Sequence, residues 1–254
     1  MSGRTRLYTM SCWAADVHLS IAPTVEYLIL TGGLQGGVYI VTQVDATLRG
    51  NIIEDNERLT FTGDGGGVRV HYYGSATLIS NVIAGNTCAL VDTNGQGAGL
   101  WLGRGELVNN TFVNNSGGDG SGIRVGVDVT LKNTIFYGNT VGVDAYTGSV
   151  VHMDGTLWYA NGQNTTGDGT IHLGPVDITK DPLFVDAGAG DFHLGAGSPA
   201  IDAGVAAPMA REDAEGNARP DCVAWDIGAY EAQSGGTSCM RVFLPAVLKG
   251  VGPD

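Results

Sequence analysis

The chain has 254 residues, of which 41 are glycine and 8 proline, with 15% charged and 7% aromatic side chains. Glycine stands at more than twice its usual ~7% share without a collagen period, while the 43% hydrophobic content is too high for a disordered chain. The net charge of -13, from 26 acidic and 13 basic side chains, would repel phosphate backbones and argues against nucleic acid as a partner.

At the N-terminus, Arg4 and Arg6 precede Leu7 to Ala15, a stretch too short and polar for a signal peptide. The expectation is an exported protein whose signal lies upstream of Met1. No apolar run approaches the ~20 residues that cross a bilayer.

A repeat then explains much of the glycine. Leu48, Leu78, Leu107, Leu131 and Met153 are spaced by 30, 29, 24 and 22 residues. Three residues after each anchor comes Asn51, Asn81, Asn110, Thr134 or Thr156. Five after it comes Ile53, Ile83, Phe112, Phe136 or Trp158, and eight after it Asn56, Asn86, Asn115, Asn139 or Asn161. Between the copies sits glycine, apolar, variable, apolar: Gly37-Val38-Tyr39-Ile40, Gly67-Val68-Arg69-Val70, Gly99-Leu100-Trp101-Leu102, Gly122-Ile123-Arg124-Val125 and Gly142-Val143-Asp144-Ala145. Both halves alternate with period two and neither has helical spacing, which predicts short strands with one buried face. Such units cannot bury that face alone and must stack as a solenoid. Asn56, Asn86, Asn115, Asn139 and Asn161 are expected to be structural, tolerating a left-handed turn and bonding to their equivalents in adjacent coils.

This pattern resembles the right-handed parallel β-helix repeat of pectin-lyase-like proteins. The resemblance implies an all-β solenoid of about five to six coils over residues 36–172, with 1–35 an incomplete first coil or N-terminal cap. Val25 to Leu30 is a candidate strand there. From Ile171 the repeat gives way to Asp181-Pro182-Leu183-Phe184, Gly190-Asp191-Phe192-His193-Leu194, Ser198-Pro199-Ala200-Ile201-Asp202-Ala203-Gly204, Arg219-Pro220 and Asp226-Ile227-Gly228-Ala229-Tyr230-Glu231. An open solenoid end needs a cover, and residues 173–233 are expected to cap it. This run resembles the choice-of-anchor Q domain of bacterial surface β-helix proteins. Asp202, Arg219, Asp226 and Glu231 read as structural, with Arg219 the strong cation among carboxylates. His193 reads as a satisfied side chain rather than a metal ligand.

The tail, 234–254, carries Val242-Phe243-Leu244-Pro245-Ala246-Val247-Leu248-Lys249. It resembles terminal segments of exported proteins of filamentous phototrophic bacteria, which implies sorting or anchoring at the cell surface; a last strand patching the cap is the other reading. Among Cys12, Cys88, Cys222 and Cys239 no pair has metal-site spacing, and Cys222 and Cys239 either close a loop or stay as thiols.

In the glycine-led strand the variable residue points outward, stacking at ~4.8 Å from coil to coil. That column reads Tyr39, Arg69, Trp101, Arg124 and Asp144, with His71 and Tyr146 two residues along. Rings alternating with guanidinium groups suit a sugar chain, so these seven are the candidate ligand-binding residues and a polysaccharide or cell-wall glycan the expected partner. The competing reading is of ordinary exposed side chains. Gly63 to Gly66, Asp92 to Gln96 and Gly117 to Gly120 would form the rim. No cofactor is required, calcium being the candidate ion, and a monomer is expected.

The predicted function is a non-catalytic glycan-binding, structural or adhesive protein. The alternative is a polysaccharide lyase acting on acidic glycan, with Arg69 or Arg124 as base and Asp64, Asp119 and Asp144 near calcium. The resemblance does not extend to the paired-Asp and Arg-x-Lys motifs of β-helix hydrolases, nor to the lyases' Trp-x-Asp-His and Arg-x-Pro-x-x-Arg runs.

Overall fold

The computed structural model describes residues 7–9, 17–19, 23–58, 65–88, 96–117 and 120–234. Cys12, Asp64, Asp119, Cys239, most of the expected rim loops and the apolar tail lie outside these residues.

The alternating segments form three parallel sheets wound into one solenoid. The first sheet stacks Val17–Leu19, Val38–Ile40, Val68–Val70, the starts of Leu100–Val108 and Ile123–Tyr137, Val141–Ala145 and Gln163–Thr166. The second stacks Thr24–Glu26, Asp45–Arg49, Ser75–Ile79 and the matching parts of the longer strands, ending at Thr170–Leu173. The third runs from Leu7–Thr9 and Leu28–Thr31 through Ile52–Glu54, Val82–Ala84 and Thr111–Val113 to Asp177–Thr179. The anchors Leu48, Leu78, Leu107, Leu131 and Met153 are direct cross-strand partners, as the repeat predicts. Pairing also extends one rung beyond the repeat at each end, through Val25 to Leu48 and through Leu173 to Met153. The parallel coils therefore continue to Thr179, past the expected boundary at 172. Identical register stacks like on like, filling the core with the anchor column, Val38/Val68/Leu100/Ile123/Val143 and Ile53/Ile83/Phe112/Phe136/Trp158, all buried. The rings of Phe112, Phe136 and Trp158 stack at 5.3 and 4.8 Å.

Two bends per coil are held by asparagine ladders. In the long one, the backbone N–H and Nδ2 of Asn56, Asn86, Asn115 and Asn139 each donate to Oδ1 of the next asparagine, ending at Asn161, over 3.0–3.1 Å. Nδ2 also donates to the carbonyl of Leu30, Ile53, Ile83, Phe112 or Phe136. The shorter ladder joins Asn51, Asn81 and Asn110 and stops where Thr134 replaces asparagine. The left-handed backbone expected at the ladder asparagines sits one residue earlier, at Asp55, Gly85, Asn114, Gly138 and Ala160. The left-handed residue turns the chain, which leaves the next side chain pointing into the bend where its amide reaches the coils on either side. Facing the long ladder, Gly99 packs so closely that a Cβ there would lie 2.6 Å from the Gly122 carbonyl oxygen and 3.1 Å from Cγ of Asn115.

Residues 181–234 cover the solenoid along its flank, whereas the expectation placed them over its open end. The third sheet is apolar on both faces: Ile53, Ile83 and Phe112 point inward, and Ile52, Val82, Ala84, Val113, Ile135 and Leu157 pack outward against the C-terminal segment. The segment runs back from the last coil toward the first. Ala200 and Ile227 pack on Ile135 and Leu157, Ala207 and Ala210 on Ile79 and Val108, and Glu212 accepts hydrogen bonds from Ser80 Oγ at 2.8 Å and Tyr27 Oη at 2.7 Å. The left-handed Asn109 and Asn133 point outward and grip it, Asn109 through the Asp226 carbonyl at 2.7 Å and Asn133 through Val205 at 2.7 and 2.8 Å.

Asn115→Ala removes the two Nδ2 hydrogen bonds and the Oδ1 acceptor from the middle of the long ladder, keeping only the backbone N–H, and takes from the buried Asn86 amide its Oδ1 partner. It is expected to lower the free energy of unfolding by about 3 kcal/mol in urea titration, and Asn161→Ala at the ladder's end by less than half of that.

Candidate functional site

The outward column predicted from sequence is present in direct register. Tyr39 pairs with Arg69, Arg69 with Trp101, Trp101 with Arg124 and Arg124 with Asp144. Its two halves differ. Tyr39, Arg69 and Trp101 are half-buried, and the Arg69 guanidinium lies 5.1 Å from the centre of the Tyr39 ring. Arg124 and Asp144 are only 8% and 3% exposed and form an ion pair through Nη1 and Oδ2. The chain crosses so close over Asp144 that a Cβ at Gly120 would lie 2.6 Å from its Cβ, and one at Gly167 2.5 Å from Oδ1. Arg124 also lies 5.3 Å from the Tyr146 ring centre. The column is thus no continuous open groove, because its far end is an ion pair of in-register neighbours overlaid by the chain at Gly120 and Gly167. A cation at Asp144 would have to displace Arg124. Asp64 and Asp119, the other calcium candidates, lie outside the described residues, and among these no group of three or more His, Cys, Asp or Glu side chains is placed to hold a metal ion.

Exposed aromatic surface gathers instead at the corner between the first and second sheets. His71, Tyr72, Tyr73 and Gly74 turn the chain there, leaving Tyr72 45% and Tyr73 68% exposed, with Tyr146 53% exposed at the equivalent turn of a later coil. Tyr72 and Tyr73 meet edge to face at 5.3 Å, and the His71 ring centre lies 5.9 Å from that of Tyr73. Two glycines give Tyr72 a flat bed: a Cβ at Gly126 would be 3.6 Å from its ring and one at Gly103 2.7 Å from its carbonyl oxygen. The sequence reading included His71 and Tyr146 but missed Tyr72 and Tyr73. Adjacent tyrosines in a turn closed by glycine were the available signal, since turns present side chains to solvent.

In the C-terminal segment Arg219 is enclosed, its Nη1 donating to Glu231 Oε2 at 2.9 Å and its Nη2 to the Gly228 carbonyl at 2.8 Å. Burial pushes the Glu231 carboxyl up to about 7, against the opposing pull of Arg219, and raises Asp226 as well. Asp226 accepts from the backbone of Asp202 at 2.7 Å and Ala232 at 2.6 Å, and Asp202 from Val223 and Ala224 at 3.0 Å. The acidic residues thereby tie irregular backbone together. His193 bridges Asp191 at 2.6 Å and Glu215 at 3.3 Å. Cys222 is held in a disulfide. Cys88 is buried, its Sγ 4.0 Å from the Gln96 carbonyl oxygen.

Stacked in-register coils joined by asparagine ladders define a parallel β-helix protein. The chain belongs to the family described as right handed beta helix region, whose pattern matches residues 17–164. No curated protein and no solved structure matches it. No helix among the described residues is long and apolar enough to cross a membrane.

Two outcomes test these assignments. Arg124→Met leaves the Asp144 carboxylate buried without its cation and is expected to cost about 3 kcal/mol in urea unfolding, with most of the loss recovered in Arg124→Met/Asp144→Leu. Burial disfavours the charged form of His193, but its hydrogen bonds to Asp191 and Glu215 and their charges outweigh this and raise its pKa. Its contribution is therefore fully present below pH ~6.5 and fades as pH rises through the raised value. All three side chains are substantially exposed, so solvent screening limits the effect to about 0.5 kcal/mol. The melting temperatures of the native protein and His193→Gln should differ at pH 6 and converge by pH 8.5.

Proposed function

We propose that this β-helix is a non-catalytic, exported surface protein that binds a glycan along the tyrosine corner. The observation that carries this reading is the exposure of Tyr72, Tyr73 and Tyr146 on one edge of a molecule that buries its other outward apolar face under its own C-terminal segment. Ring faces kept in water suit the C–H faces of sugars, and the phenolic hydroxyls and His71 suit their hydroxyl groups. Trp101 and Arg69 extend the surface onto the first sheet. The calcium-assisted lyase reading is weaker: Arg69 lies against Tyr39, and Arg124 is committed to Asp144 and Tyr146.

Export is supported by the Cys222 disulfide, which suits an oxidising compartment. Attachment at the cell surface is supported by the resemblance of residues 181–231 to the choice-of-anchor Q domain and of the tail to terminal segments of exported proteins. The pectin-lyase-like likeness of the coils fits a carbohydrate-facing solenoid without carrying an activity.

A glycan array with the native protein should show ligands, and Tyr72→Ala/Tyr73→Ala should bind them about tenfold or more weakly while keeping the native circular dichroism spectrum. An array without ligands, or a variant that binds equally well, would overturn the proposal.

A further inference from the structure

The C-terminal segment covers the second sheet at Ile79 and Val108, and Glu26 and Arg49 pair on its early coils, while its outer face in the last coils is exposed at His152 and His172. Near its C-terminal end the register brings two histidines together. Val151 and Met153 point into the core, so His152 between them points outward, and it is the direct partner of His172 on the neighbouring parallel strand. Both side chains are exposed. Their rings are stacked, with centres 4.8 Å apart and planes 14° from parallel. They line a cleft of about 330 Å³ with Thr130, Lys132 and Asp154.

The geometry points to a binding site for a late first-row divalent metal ion, taken by His152 and His172 as two imidazole ligands with water completing the shell. Three features of the pair support this. In-register parallel strands fix the two Cα atoms at the ladder spacing of ~4.8 Å, so the donors are pre-organised by the backbone and not by mobile loops. The χ2 torsion of histidine is broad, and a modest turn of each stacked ring brings its nitrogen toward a shared ion at the ~2.0–2.1 Å that imidazole ligands take. Two imidazoles with open remaining positions suit copper(II) best, since affinity for nitrogen sites rises toward copper and tetragonal nitrogen–oxygen geometry is its preference. Among the described residues no third His, Cys, Asp or Glu joins the pair, which favours an exchangeable ion over a closed structural site. The site lies on a different face from the tyrosine corner and does not depend on glycan binding.

Copper(II) titration of the full chain, followed by calorimetry and electron paramagnetic resonance, tests the assignment. The native protein should bind one ion with a two-nitrogen imidazole signature. His152→Ala and His172→Ala should each weaken binding about tenfold or more and reduce the signature to one nitrogen, and the double variant should lose it. Both positions are exposed, so the variants should fold, which an unchanged melting temperature without metal would verify. Absence of binding by the native protein, a single-nitrogen signature, or a double variant that binds as tightly as the native chain would overturn the inference. Glycan binding by the double variant should be unchanged, so failure here and failure of the tyrosine-corner proposal are separately visible.

Discussion

The structure depends on one hydrogen-bonding arrangement: a side-chain amide placed inside a bend, bonding to its equivalent in the coil on either side. Each coil of a solenoid is too small to bury its own apolar face and gains a core only by stacking. Stacking in turn buries the backbone of every bend, and buried N–H and C=O groups without partners cost about 1–3 kcal/mol each. Asparagine answers both needs, because one amide donates to a carbonyl and to the next amide while accepting two hydrogen bonds from the other side. The ladder thereby sets the register, the register stacks like side chains, and the sheets, core and outward columns follow.

A second constraint comes from the third sheet. Most strands of this protein are apolar on one face, but the third-sheet strands carry apolar residues on both, as in Ile52-Ile53 and Val82-Ile83-Ala84. A sheet of that kind is stable only when covered on both sides. The C-terminal segment supplies the outer cover, and lacking regular strands of its own over most of its length it replaces ladder hydrogen bonds with carboxylate-to-backbone bonds around Asp202, Asp213, Asp226 and Glu231. Arg219 offsets part of the negative charge gathered there. The segment's course back along the flank links early and late coils, so a one-dimensional stack acquires long-range contacts.

These coverings decide where recognition chemistry has room. The third sheet is closed by the C-terminal segment, and the first loses the far end of its outward column to the Arg124–Asp144 pair. The tyrosine corner and the last coils of the second sheet's outer face stay exposed, and these are where the two proposed sites lie.

The repeat determined the register, the core columns, both asparagine ladders and the order of the outward residues, because all of these recur at fixed offsets from one anchor and each depends only on adjacent coils. The pairing of His152 with His172 was also implicit, each standing one residue before its anchor. Tertiary structure alone decided which outward residues stay in water. Arg124 and Asp144 are close by register but buried by the approach of the chain near Gly120 and Gly167, and the flank position of residues 181–234 arises from contacts between segments far apart in the sequence, such as Thr111 with Ala229. Periodicity specifies neighbours along the stack; it carries no information about a non-repeating segment, whose place is set by which apolar surface the finished solenoid leaves uncovered.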